Sequence, residues 1–159
     1  MGVKQALELQ VNGEAVALMV EPRQTLADVL RDSLRLTGTH LGCEMGVCGA
    51  CLVLLDGKPV HGCLTLAVQA QGCAVTTVEG LDASGEIADL QAEFHARNAL
   101  QCGYCTPGML MTAQALLKRG AVPDRAEIRE ALSGNFCRCT GYEAIVDAIA
   151  ATAAKRGAA

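Results

Sequence analysis

Nine cysteines stand out in this 159-residue sequence, and their spacing sorts eight of them into two sets. Cys43, Cys48 and Cys51 lie in "GCEMGVCGAC", and Cys63 follows after a short apolar stretch. A C-x4-C-x2-C loop with a distant fourth cysteine is the plant-type 2Fe-2S spacing. Such a loop must bring its backbone close to an anionic centre and aim amide N–H groups at the sulfurs. Gly42, Gly46 and Gly49 relieve the steric limits on that path. Zinc sites generally use paired C-x2-4-C elements, which a three-cysteine loop with one wide gap fits poorly.

The second set is Cys102-Gly-Tyr-Cys105 with Cys137-Arg-Cys139. A disulfide between Cys137 and Cys139 would be badly strained. Two short pairs suit four thiolates around zinc or around a second cluster, and spacing leaves both open. Cys105 and Cys139 immediately precede Thr106 and Thr140, the predicted caps of two helices. Both helix N-termini would then face a bound centre and stabilise its negative charge, whichever metal it held. Cys73 is left over and is expected to be a small buried hydrophobe beside "AVTTV".

The remaining candidates are weaker. His61 stands two residues from Cys63, but a Rieske centre replaces two cysteines by histidines and this set already has four cysteines. His40 has a structural or a cluster-tuning role open to it, and His95 is expected to be solvated. Arg138 lies between two ligand candidates, where it would offset charge, pair with a partner or simply be exposed. Met109 and Met111 read as core or subunit contact. The sequence contains no nucleophile–base pair, phosphate loop or Rossmann fingerprint. No catalytic residue is assigned, and no substrate site is expected on this chain.

Two textures supply the elements that would position these cysteines. Up to about residue 80, Asn12-Gly13 and Asp56-Gly57 each separate two strand candidates, "TLADVLRDSL" reads as a helix capped by Thr25 with Asp28, and "AVTTVE" as a last strand. After a "GLDASGE" connector, helices are expected near 86–99, 106–119, 124–133 and 141–155. Their boundaries come from Thr106-Pro107, the capping pairs Asp124/Glu127 and Thr140/Glu143, and stops at Gly120 and Gly134. The final "ATAAKRGAA" reads as a fraying tail.

Composition excludes several classes. Thirteen basic and 17 acidic residues give a net charge of -4, and they are intermixed, so no stripe suggests nucleic acid. A 51% hydrophobic content argues for a packed globule, yet two Phe, two Tyr and no Trp leave a thin aromatic core that needs a staple. No apolar run approaches the roughly 18 residues of a membrane span. The N-terminus lacks an apolar leader and the cysteine count is odd, which favours a reducing, cytoplasmic location.

"GCEMGVCGAC", "QCGYCTPGM" and "GNFCRCTGY", in this order and separation, resemble the iron–sulfur subunit of the xanthine oxidase family of molybdenum hydroxylases. The resemblance spans roughly residues 5 to 152. It implies an α+β chain with a plant-type ferredoxin-like β-grasp domain (1–80) followed by an all-α four-helix 2Fe-2S domain (81–159). Cys43, Cys48, Cys51 and Cys63 would bind the outer 2Fe-2S cluster, and Cys102, Cys105, Cys137 and Cys139 the inner one. The resemblance also implies a large subunit carrying molybdopterin, as its cytosine dinucleotide, near Gln101 and the Cys139 segment. A medium subunit would carry FAD, in a heterotrimer or a dimer of heterotrimers. Departures from the family pattern at Leu52, Gly62 and Phe136 remove no ligand. A freestanding ferredoxin-like carrier and a zinc-stabilised interaction module are the alternative readings.

Overall fold

In the computed structural model, which describes residues 3–157, Asn12 and Gly13 take φ of 53° and 86°. Two successive left-handed residues are what a tight I′ hairpin turn requires. They join β1 (Gln5–Val11) to β2 (Glu14–Val20) in an antiparallel register running from Val11↔Glu14 to Gln5↔Val20. Asp56 and Gly57 repeat the device at φ 49° and 78° between β3 (Leu52–Leu55) and β4 (Lys58–His61). The short β5 (Ala74–Thr76) lies between the hairpins, parallel to β1 and antiparallel to β3, giving a mixed sheet of order β2-β1-β5-β3-β4.

One face of this sheet is closed by α1, a turn of α-helix (Leu26–Asp28) that continues with π-helical spacing through Val29–Ser33. Its start is the expected capping box: Asp28 N–H donates to Thr25 Oγ1 at 3.1 Å, and Thr25 N–H donates to Asp28 Oδ2 at 2.9 Å. Leu26, Val29 and Leu30 are fully buried against Leu7, Leu9, Val53 and Val75. At the far end of α1, Arg31 donates to Thr37 O and Thr39 O, which ties the helix to the entrance of the first cysteine loop.

The expected strand at "AVTTVE" stops short. Thr77 is fully buried, and its N–H donates to Asn12 Oδ1 at 2.8 Å while Asn12 Nδ2 donates to its hydroxyl at 3.1 Å. A side chain thus takes the place of the next ladder partner, and α2 (Val78–Ala83) begins where a connector was expected. Gly80 sits inside that helix because a Cβ there would lie 2.2 Å from Asn12 Oδ1.

The second half packs α3 (Ala88–Ala96), α4 (Thr106–Leu117), α5 (Arg125–Ala131) and α6 (Glu143–Gly157) around Phe94, Met109, Met111, Ile128, Ile145 and Ile149. Strand β3 belongs to both halves. Val53 points into the sheet core, whereas Leu52 and Leu54 join the helical one, as side-chain alternation along a strand dictates.

Two helix boundaries differ from expectation. The Asp124/Glu127 box forms, but the Thr140/Glu143 pair does not, because Gly141 and Tyr142 take φ of 67° and 70° before α6 starts at Glu143. Glu143 pairs instead with Arg125 and Arg129, each at 2.9 Å. The expected fraying tail is helical to Gly157, with Thr152 and Ala153 buried. Arg156 fastens it by donating to Asp89, to the buried Gln114 Oε1 and to Glu86 O.

The Arg156 guanidinium beside Asp89 holds that carboxyl below its ordinary pKa, with burial working against it. A depressed carboxylate stabilises the fold above its unfolded-state pKa and ceases to as pH falls through the folded value. Arg156→Ala is expected to cost about 1 kcal/mol at neutral pH, a figure kept low because Asp89 is 41% exposed and water screens the pair. In thermal melts the gap between wild type and variant should narrow as pH falls below about 4; a gap constant with pH would contradict the assignment.

Candidate metal centres

The first cysteine loop is built around one sulfur. Cys43 Sγ accepts the amide N–H groups of Met45, Val47 and Cys48, each at 3.4 Å. These amides pull the Cys43 thiol down to about 6. To aim three amides inward the chain turns through left-handed residues at Glu44, Gly46 and Gly49, with φ of 54°, 72° and 70°. Gly42 is there for room: a Cβ would stand 3.2 Å from Cys48 Sγ. Cys51, on the edge of β3, and Cys63, after β4, approach from the sheet with their sulfurs 3.3 Å apart. Burial first, and the neighbouring Cys63 and Cys48 after it, push the Cys51 thiol up to about 12.

The second set shows the same contrast. Burial, with the nearby Cys137, raises Cys105 to about 12. Burial also opposes ionisation of Cys137, but the hydroxyl of Thr140 at 3.0 Å, its amide at 3.4 Å and the Cys139 amide outweigh it, and the thiol is held below its ordinary pKa. Thr140 therefore serves the sulfur itself and caps no helix. Cys105, and not the expected Thr106, occupies the N-cap of α4, Thr106 and Pro107 being its first residues and no side chain capping it, so the positive end of that helix does face the set. Cys102 and Cys139 are exposed, with sulfurs 3.7 Å apart.

The sulfurs meet two by two. Tetrahedral ligands about 2.3 Å from one metal lie about 3.8 Å apart, and the 3.3 and 3.7 Å separations fall close to that value. Among the described residues no three metal-ligating side chains converge on a single point. Buried Cys51 and half-buried Cys105, with thiols pushed up to about 12, hold thiolates only if a metal supplies the countercharge, so the donor set fits an iron–sulfur group.

The sets also touch each other. Phe136 N–H donates to Cys48 O at 2.9 Å, which leaves one hydrogen bond between a residue of the first set and the neighbour of Cys137. Beside it, buried Asn135 reaches Gly49 O at 3.4 Å and accepts from Thr112 Oγ1 at 2.8 Å. Gly108 in α4 packs directly on the Gly49 backbone; a Cβ there would lie 2.1 Å from Gly49 O. Tyr142 completes the frame, accepting from Cys137 N–H at 2.8 Å and donating to Asn135 O at 2.9 Å.

Gln101 Nε2 donates to Cys139 O at 3.1 Å, so these two residues do lie together at the surface. His61 Nδ1 is 3.9 Å from Cys51 Sγ. His95 is exposed and Met109 and Met111 are fully buried, as expected. Arg138 is exposed. Cys73 is half-buried rather than buried, its thiol 3.7 Å from Gln71 O. Asn135, Gly108, Thr112, Tyr104 and Tyr142 have no place in the spacing argument. Asn135 and Tyr142 flank the quoted C-x-C pair, and that adjacency was the one available clue to them.

Two family models match the chain. The 2Fe-2S iron–sulfur cluster binding domain covers residues 9–102, and the 2Fe-2S binding domain covers residues 77–150. The caffeine dehydrogenase subunit gamma of Pseudomonas sp. strain CBB1 is 53% identical over 146 residues, covering 90% of this chain and 87% of that one. The nicotine 6-hydroxylase small subunit of Paenarthrobacter nicotinovorans is 51% identical over 143 residues, covering 90% and 86%. Among solved structures, quinoline 2-oxidoreductase from Pseudomonas putida 86 superposes with a TM-score of 0.91 at 51% identity, over 98% of this chain and 99% of that one.

The site and fold thus define a 2Fe-2S protein. The chain belongs to the small iron–sulfur subunits of the xanthine oxidase family of molybdenum hydroxylases. Its role is electron transfer within a heteromeric oxidoreductase. No helix among the described residues is long and apolar enough to cross a membrane.

The Gly108 contact yields a direct test. Gly108→Ala is expected to destabilise the chain by about 1–3 kcal/mol through overpacking, lowering the temperature at which visible cluster absorbance is lost. A variant as stable as wild type would show that the two backbones do not meet there.

Proposed function

We propose that the chain holds two 2Fe-2S clusters, an outer one on Cys43, Cys48, Cys51 and Cys63 and an inner one on Cys102, Cys105, Cys137 and Cys139. It relays electrons between a molybdopterin-bearing large subunit and FAD on a medium subunit, or another acceptor. When bound, each cluster supplies one-electron storage at a potential set by burial and by hydrogen bonds to its sulfurs. The observation that carries the reading is the Phe136 N–H to Cys48 O bond, which joins the two sets through backbone alone. The division into a ferredoxin-like β-grasp domain to about residue 80 and a helical domain beyond it is supported by the two buried clusters of side chains.

Exposed apolar side chains favour a subunit over a freestanding carrier. Met45, Val47 and Leu64 stand around the first loop, and Leu100, Tyr104 and Phe136 around the second, each 37–69% exposed. Apolar surface gathered on both cysteine-bearing loops suits partners docked over both centres. Gln101 and Cys139, exposed and bonded to each other, present the edge where the pterin of the large subunit would approach. Relatives are named for caffeine, nicotine and quinoline, so an N-heteroaromatic substrate is proposed for the assembled enzyme, bound outside this chain.

Purified enzyme is expected to carry about four iron and four sulfide per copy of this chain, two of each per cluster. Cys139→Ala should abolish one electron paramagnetic resonance signal and leave the other; two intact signals would overturn the ligand assignment. Cys73→Ala should preserve both signals, and loss of either would give Cys73 a role it lacks here.

A further inference from the structure

Two connections hold the cysteine loops together, and they differ in kind. One is the contact of the Cys48 and Gly49 backbone with the backbone of Gly108 and Phe136 and with the Asn135 side-chain amide. The other is made by side chains. The Tyr104 phenol donates to Leu41 O at 2.7 Å, two residues before Cys43. The His40 ring stacks on the Tyr104 ring with centroids 4.5 Å apart and planes 20° from parallel. His40 Nδ1 lies 2.8 Å from Tyr104 O; a carbonyl only accepts, so Nδ1 carries the proton. Tyr104 is 48% exposed, so its position is not explained by burial in either core.

The contacts at Cys48 and Gly49 and the packing of β3 hold the two loops at one side, and the Tyr104 bridge ties them at a separate point, ahead of Cys43 and Cys105. Tyr104 precedes Cys105 directly, and Leu41 leads into Cys43, so this second bridge runs from one ligand set to the other. We propose that Tyr104, locked by His40, is a positioning residue that fixes the separation and orientation of the two clusters and thereby their electronic coupling. The proposal rests on the two-cluster assignment above. One net hydrogen bond biases the closed contact by roughly two- to tenfold, so removing it should loosen the geometry without releasing either cluster.

The test uses the enzyme purified with its partner subunits, carrying Tyr104→Phe, His40→Ala or both. Iron content and the midpoint potential of each cluster should match wild type. The spin–spin splitting between the two reduced clusters should weaken or broaden. Single-turnover electron transfer from the inner to the outer cluster should slow by about two- to tenfold in Tyr104→Phe, and further in the double variant. Unchanged splitting and rate in fully loaded variants would overturn the proposal. Loss of iron from Tyr104→Phe or His40→Ala would also overturn it, making the contact a requirement for cluster retention. A wild-type enzyme without two clusters would instead sink the reading on which the proposal rests.

Discussion

Sulfur that must be charged and yet leave water is the constraint on which this structure depends. Burial drives Cys51 and Cys105 up to about 12, while amides pull Cys43 down to about 6, so the thiols of one set cannot all ionise together in neutral solution. A bound iron–sulfur group resolves the conflict by supplying positive charge where water is missing. The left-handed turns that aim amides at Cys43, the hydroxyl of Thr140 against Cys137 and the N-terminus of α4 behind Cys105 all act in the same direction.

The second demand is that the two cysteine sets stay close in so small a chain. Strand β3 meets it from within, giving Val53 to one core and Leu52 and Leu54 to the other. Gly49 against Gly108 and Cys48 against Phe136 meet it at the loops themselves. Since only two Phe and two Tyr are present, and Tyr104 and Phe136 stand at the surface between or beside the cysteine sets, most of the core is aliphatic and the cysteine loops are part of what joins the halves.

Features whose cause lies within a few residues were legible in the sequence. Asn12-Gly13 and Asp56-Gly57 turn as their chemistry dictates, and Thr25/Asp28 and Asp124/Glu127 cap as boxes; of the cysteines grouped by spacing, Cys51 lies 3.3 Å from Cys63 and Cys102 lies 3.7 Å from Cys139. Features whose cause lies far along the chain were not. Strand β5 ends because Asn12, just past the end of the neighbouring strand β1 but 65 residues away along the chain, reaches Thr77, and Gly108 is a glycine because Gly49 lies against it. The alanine-rich C-terminus offered too little side-chain contrast to mark a buried face, and its anchor, Arg156 to Asp89, spans most of the helical half. Thr140 differs from expectation because a threonine before a helix suits a cap and a hydrogen bond to a nearby sulfur equally well.

The most direct measurement of the central claim is a redox titration of the purified enzyme followed by electron paramagnetic resonance at low temperature. Two separate one-electron steps are expected per copy of this chain, each bringing up its own 2Fe-2S signal, with the two signals interacting once both centres are reduced. A single step with one signal, or a second site that remains silent at every potential because it holds zinc, would contradict it.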